Sequence, residues 1–174
     1  MNRSEPSRVP SDKMGEVFET QSFALVEMDR NVERSPAKKQ ARRFLDFSVG
    51  GEALYPTVFA AGYDNITPLW LDPSLAREVG QAIDRLLGVA PADAPSDRVS
   101  VYICSECGDL GCGALTVKLS IDEDLASWTD WGYQNNYEDT IHPVTSRQLG
   151  DMHFSRAEYD RALEAARLRI TGGS

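Results

Sequence analysis

From Tyr102 to Gly113 the chain reads Tyr-Ile-Cys-Ser-Glu-Cys-Gly-Asp-Leu-Gly-Cys-Gly, and its three cysteines, Cys104, Cys107 and Cys112, all fall inside this stretch. An apolar run, Val99 to Ile103, leads into it, and an alternating run leaves it from Ala114. Such flanks predict two antiparallel strands with the cysteines at the tip of their hairpin. Gly108, Gly111 and Gly113 supply the backbone freedom that a tight reversal needs. The turn therefore commits the chain to a sheet whose rim carries three converging sulfurs.

Two residues between thiols followed by glycine is the spacing of a metal knuckle, because both sulfurs can then face one ion. Zinc is the ion that suits sulfur and nitrogen ligands, with Cys104, Cys107 and Cys112 as three of the four. His142 and His153 are the only histidines. His142 is taken as the fourth ligand, with Asp109 or a water as alternatives. Two other readings stay open at this stage. Cys104 and Cys107 could cycle between dithiol and disulfide with Cys112 as a further thiol, or all three could be small buried residues in a glycine turn.

The 174 residues are enough for one domain with its own core. Residues 1–20 read as a disordered tail, 21–170 as a single α+β domain and 171–174 as a frayed end. Gln21 to Met28 is a first strand. The polar stretch 29–43 reads as an exposed connection, with Lys38, Lys39, Arg42 and Arg43 as a solvated basic cluster. Leu45, Phe47 and Val49 alternate with Asp46 and Ser48 before Gly50-Gly51, which predicts a two-residue hairpin with Ala53 to Tyr55 returning and Pro56 ending it. Asp72 and Pro73 start a helix with Leu75, Val79, Ala82, Ile83, Leu86 and Leu87 on one face, and Gly88 stops it. Strands follow at 99–104, 114–121 and 126–133. Ser155 with Glu158, and Phe154 with Tyr159, mark a capping box and a hydrophobic staple at the start of a last helix. The predicted fold is α+β, an antiparallel sheet of about five strands with two amphipathic helices packed on it.

Residues 1–43 hold nine Lys and Arg against seven acids, so the total charge of −9 places −11 on the remainder. An acidic domain repels phosphate backbones, which argues against direct nucleic-acid binding and favours a basic protein or peptide partner. Asp122, Glu123, Asp124, Trp128, Asp130, Trp131, Tyr133, Asn135, Asn136 and Tyr137 are the candidate face for that partner, acids and amides beside aromatics. No apolar run reaches the ~20 residues of a membrane helix. With no signal pattern in the first twenty residues, the expected location is the cytoplasm, where clustered thiols stay reduced.

From Tyr102 to Tyr137 the chain resembles a group of small, uncharacterised actinobacterial proteins. They share a Tyr-x-Cys-x-x-Cys-Gly-Asp-x-Gly-Cys-Gly turn and a later tryptophan strand ending in a Gly-aromatic-x-Asn-x-Tyr loop, matched here by Trp131, Gly132, Tyr133, Asn135 and Tyr137. Some relatives carry an automatic oxidoreductase label, which the resemblance extends to the thiol alternative. No phosphate-binding or dinucleotide motif occurs. The leading expectation is a small acidic binding protein of the immunity or antitoxin kind, braced by a zinc turn. The alternative is a thiol oxidoreductase using Cys104 and Cys107.

Overall fold

The computed structural model describes residues 16–30, 40–144 and 146–172. The expected tail up to residue 15, the cations Lys38 and Lys39, and residues 173 and 174 lie outside the described residues.

The α+β architecture is present, with nine strands among the described residues, in two antiparallel sheets, where about five were expected. Strands β1 (Phe23–Asp29), β2 (Arg43–Val49) and β3 (Glu52–Ala53) form a three-stranded sheet in that order. Gly50 and Gly51, with φ of 62° and 87°, make the tight β2–β3 turn in which both central residues need positive φ. The alternation in β2 suggested one wet face, yet Phe44 to Val49 are all buried, Asp46 and Ser48 included.

That burial explains a difference after the turn. Tyr55 does not return as strand and Pro56 does not end one; the two open helix α1 (Tyr55–Ala60). Asp46 Oδ2 accepts the Tyr55 backbone N–H at 2.7 Å and satisfies a donor that a helix start would otherwise leave orphaned. Proline in the first turn loses nothing by lacking its own N–H.

The larger sheet runs β4 (Asn65–Ile66), β5 (Val99–Cys104), β6 (Ala114–Ile121), β7 (Leu125–Gln134), β8 (His142–Pro143), and β9 (Met152–Ser155) also pairs with β7. The long β7 therefore has β6 along one edge and β8 and β9 on the other. Asp72 caps as expected, its Oδ1 accepting Ser74 N–H at 3.0 Å, but it starts a single 3-10 turn before α2 (Ala76–Leu86). Val79, Ala82, Ile83 and Leu86 give α2 its buried face.

Helix α3 (Arg156–Thr171) starts at Ser155, whose side chain makes no cap bond. Glu158 instead accepts the Phe23 N–H of β1 at 3.1 Å, so the expected capping box is replaced by a tie to the neighbouring sheet. The staple forms: Phe154 and Tyr159 stack with ring centroids 5.7 Å apart. Tyr159 OH donates to Leu86 O at 2.8 Å and accepts from Trp128 Nε1 at 3.1 Å, joining α2, α3 and β7. Phe23, Phe47 and Phe154 surround Trp128, so the two sheets and the helices share one aromatic core. Among the described residues no helix is long and apolar enough to cross a membrane.

Candidate metal centre

β5 ends at Cys104 and β6 begins at Ala114, so the hairpin tip holds the three thiols as the strand pattern requires. Gly108 N–H donates to Cys104 O at 2.9 Å, closing the first turn. Asp109 then caps a single 3-10 turn, Leu110–Cys112, by accepting Gly111 N–H at 2.6 Å. Gly113, at φ 91°, turns the chain into β6 beneath the Tyr133 hydroxyl, where a side chain would collide with that ring.

The three Sγ atoms lie within 4.8 Å of one another and no disulfide joins them. Cys107 and Cys112 Sγ are 3.4 Å apart. Three sulfurs on one tetrahedral zinc, each at about 2.3 Å from it, stand roughly 3.8 Å apart. The cluster thus has the size of one ion's coordination shell. Cys104 is half-buried, and Cys107 and Cys112 are exposed.

Protonation follows from the packing. Burial raises the Cys104 pKa, but N–H groups of Cys107 and Glu106 and hydrogen bonds from the other two thiols outweigh it and hold Cys104 below its ordinary value. The hydrogen bond to Cys107 and the negative charge of Cys104 push Cys112 up to about 12. Cys104 therefore gives up its proton more easily than Cys112 does. A cation is what would draw three thiolates from the cluster.

Two arginines hold the turn. Arg30, 4% exposed, donates to Asp64 Oδ2 at 2.8 Å, to Glu106 Oε1 at 2.5 Å and to Gln40 O at 3.2 Å. Its hydrogen bond and charge keep the Glu106 carboxyl below its ordinary pKa. Arg42 lies 4.4 Å over the Trp70 ring and donates to Ser105 O at 3.2 Å and Glu106 O at 2.9 Å. The solvated role expected of Arg42 is therefore overturned: its cation is used on the cysteine turn. Arg43 remains exposed and pairs with Glu27 and Asp29. Sequence carried no signal for Arg30, Asp64 or Trp70, because each reaches the turn from a distant stretch of chain.

The other expected ligands are elsewhere. His142 sits opposite Tyr133 on β8, exposed, with Nε2 at 3.7 Å from Glu138, and it is not part of the thiol cluster. Asp109 Oδ1 accepts the Gly111 N–H, and its carboxylate is not part of the thiol cluster. Of the candidate partner face, Trp128 is 0% and Trp131 7% exposed, so both belong to the core; Trp131 Nε1 donates to Gly150 O at 2.9 Å. Burial of the strand's aromatic face, invisible in alternation alone, removes them from any recognition surface. Asp122, Glu123 and Asp124 are exposed at the far end of β6, eight residues or about 25 Å from the thiols. Asp130 pairs with Arg98 and Lys118 between the two ends.

Tyr133, Asn135 and Tyr137 do gather beside the cysteine turn, with Asn136 exposed in the same loop. Tyr133 OH donates to Cys112 O at 3.2 Å, and its ring lies 5.3 Å from that of Tyr63. Asn135 Oδ1 accepts Tyr137 and Glu138 N–H at 2.9 and 3.1 Å, folding the loop so that the Tyr137 hydroxyl comes over Gly111. A cavity of about 250 Å³ opens on Cys104 and Cys112 between Tyr63, Tyr133, Arg30 and Glu106.

Compared with protein-family models, curated proteins and solved structures, the chain matches none.

Proposed function

We propose that the protein holds one zinc ion on Cys104, Cys107 and Cys112, and that this braced turn presents an acidic, aromatic loop to a basic peptide. The observation that carries the reading is the set of three unlinked sulfurs at the spacing of one tetrahedral ion. With His142 and Asp109 outside the thiol cluster, the fourth position belongs to a small ligand entering from the cavity at Cys104 and Cys112, a water in the simplest case. The exposed residues next to the turn, Asn136, Tyr137, Glu138 and Asp139, supply the peptide surface.

Protein purified without chelator is expected to contain one zinc per chain, with all three thiols unreactive until it unfolds. Cys112→Ser should weaken zinc binding by more than about 100-fold, since even residues that merely orient ligands cost up to that much. Absence of zinc and three thiols that react freely in the folded state would refute the metal site. The 3.4 Å approach of Cys107 and Cys112 favours a second reading, a thiol redox pair, in which these two form the disulfide instead of Cys104 and Cys107. Metal-free protein that readily gains a Cys107–Cys112 bridge would establish it.

For the partner, binding of an arginine-rich peptide to the zinc-loaded protein is expected to weaken as salt rises and to fall in a Glu138→Gln, Asp139→Asn double variant. Binding indifferent to both would exclude this loop as the docking surface.

A further inference from the structure

On the other side of the thiol turn lies a second cavity, of about 230 Å³, bordered by Cys107 and Gly108. It is a slot between α2, which contributes Val79, Ala82 and Arg85, and β5, which contributes Ser100 and Ile103, with Trp70 at its end. Two buried polar atoms of these lining residues, Trp70 Nε1 and Ser100 Oγ, have no hydrogen-bond partner among the described residues. A buried donor left unmade is costly, and in a native structure it calls for a partner. The indole N–H only donates, so the partner for Trp70 must accept. Arg85 is half-buried and forms no ion pair among the described residues, which leaves a third donor, this one charged. Glu78 and Asp93 also border the slot, but both are exposed, and Asp93 Oδ1 accepts Ser100 N–H at 2.9 Å. Those acids disfavour a dianion such as phosphate and limit the slot to at most one negative charge, at Arg85.

We propose that this slot binds a small aromatic carboxylate, its ring between Val79, Ala82 and Ile103 and its carboxylate on Arg85. The size fits: an apolar cavity of roughly 150 Å³ is enough for a benzene ring, and the additional volume admits a short acid arm. The binding follows the usual pattern of ligand sites, an apolar body held by area and a charged group, here Arg85, that sets orientation. Cys107 borders the slot, but the contacts proposed for the ligand, Val79, Ala82, Ile103 and Arg85, include none of the thiols, so the proposal does not rest on the zinc reading.

The test uses the full chain with benzoate, 3-phenylpropanoate and indole-3-carboxylate as probes, each beside its neutral amide, followed by calorimetry and by backbone amide shifts. At least one acid is expected to bind saturably and to shift Val79, Ala82 and Gly108, with its amide about tenfold weaker or more. Arg85→Gln, at a half-buried site that tolerates it, should bring the acid down to the level of the amide, and Ala82→Leu should block both by filling the slot. Failure of all three acids at millimolar concentration would overturn the proposal. So would an amide as tight as its acid, shifts confined to other residues, or unchanged binding in Arg85→Gln.

Discussion

Arg98→Ala is expected to cost about 2–4 kcal/mol of stability, since it leaves buried acceptors unmade at about 1–3 kcal/mol each. Arg98 is 0% exposed. Its Nε donates to Thr116 Oγ1 at 2.9 Å, Nη1 to Asp130 Oδ2 at 2.9 Å, and Nη2 to Thr116 O at 3.0 Å and to Asp130 O. Thr116 Oγ1 donates in turn to Gln134 Oε1 at 2.7 Å, and Gln134 Nε2 to Pro95 O at 3.2 Å. Alanine would leave the buried Thr116 oxygens without this donor, while the exposed Asp130 carboxylate would turn to water. Burial opposes the ionised Asp130 carboxylate, but hydrogen bonds and charge from Arg98 and Lys118 win and hold it below its ordinary pKa.

The same guanidinium fixes a bulge. Between the pairs Thr116↔Gly132 and Lys118↔Thr129, β7 has Asp130 and Trp131 opposite the lone Val117 of β6. Asp130 takes φ 54° there, a conformation that costs a non-glycine residue about 1 kcal/mol or more. The bulge turns Trp131 into the core and sets Tyr133 in register with Leu115, from where its hydroxyl reaches Cys112 O. Urea unfolding should show a lower midpoint with unchanged slope. Lysine cannot reproduce the planar fork, so Arg98→Lys should recover little of the loss. A decrease under about 1 kcal/mol for Arg98→Ala would mean that the network is not stabilising.

The second large effect is a dependence on pH from the core. Asp46 is 0% exposed, accepting Tyr102 OH at 2.6 Å and Tyr55 N–H at 2.7 Å. Burial dominates those bonds and raises its pKa from 3.8 to about 6. In turn, burial and the Asp46 charge raise the Tyr102 phenol well above its ordinary value. Between pH 3.8 and 6 the native state therefore binds more protons at Asp46 than the unfolded chain does, and stability must fall as pH rises through that window. The contribution is complete below the unfolded value and gone above about pH 6, a swing of about 3 kcal/mol. Asp72, Glu106 and Asp130, held below their ordinary values, push the other way. The comparison to make is thus parent against Asp46→Asn, which keeps the shape: its oxygen can accept the Tyr55 N–H while its amide group donates to the Tyr102 oxygen. Their unfolding free energies should converge near pH 4 and separate towards pH 7, with the variant more stable. Parallel curves would show that Asp46 does not titrate in this window.

Much of the local structure was legible because its causes are local. The β5 and β6 boundaries, the Gly50-Gly51 turn, the α2 face and the Phe154–Tyr159 staple all follow from spacing and from what glycine, proline and apolar periodicity allow within a few residues. The three cysteines were legible as a cluster for the same reason, since a nine-residue glycine turn has few ways to keep its sulfurs apart. The errors have one cause as well. Asp46 sits at a position whose alternation read as surface, Trp128 among aromatics and acids that read as a partner face, and Arg42 in a run of charge that read as solvated, because a pattern along one strand cannot say what covers its second face.

By itself, then, the sequence determined the α+β class, the hairpin that carries the thiols and the convergence of those thiols. Only the tertiary structure decided that His142 stands apart from them, that Arg30 and Arg42 clamp the turn, that the acidic tip at Asp122 to Asp124 lies at the opposite end of the sheet, and that two cavities flank the cysteines. Each of these depends on groups far apart in the chain, and the free energy that brings them together comes from burying the aromatic core they surround, a term summed over the whole fold rather than written at any one site.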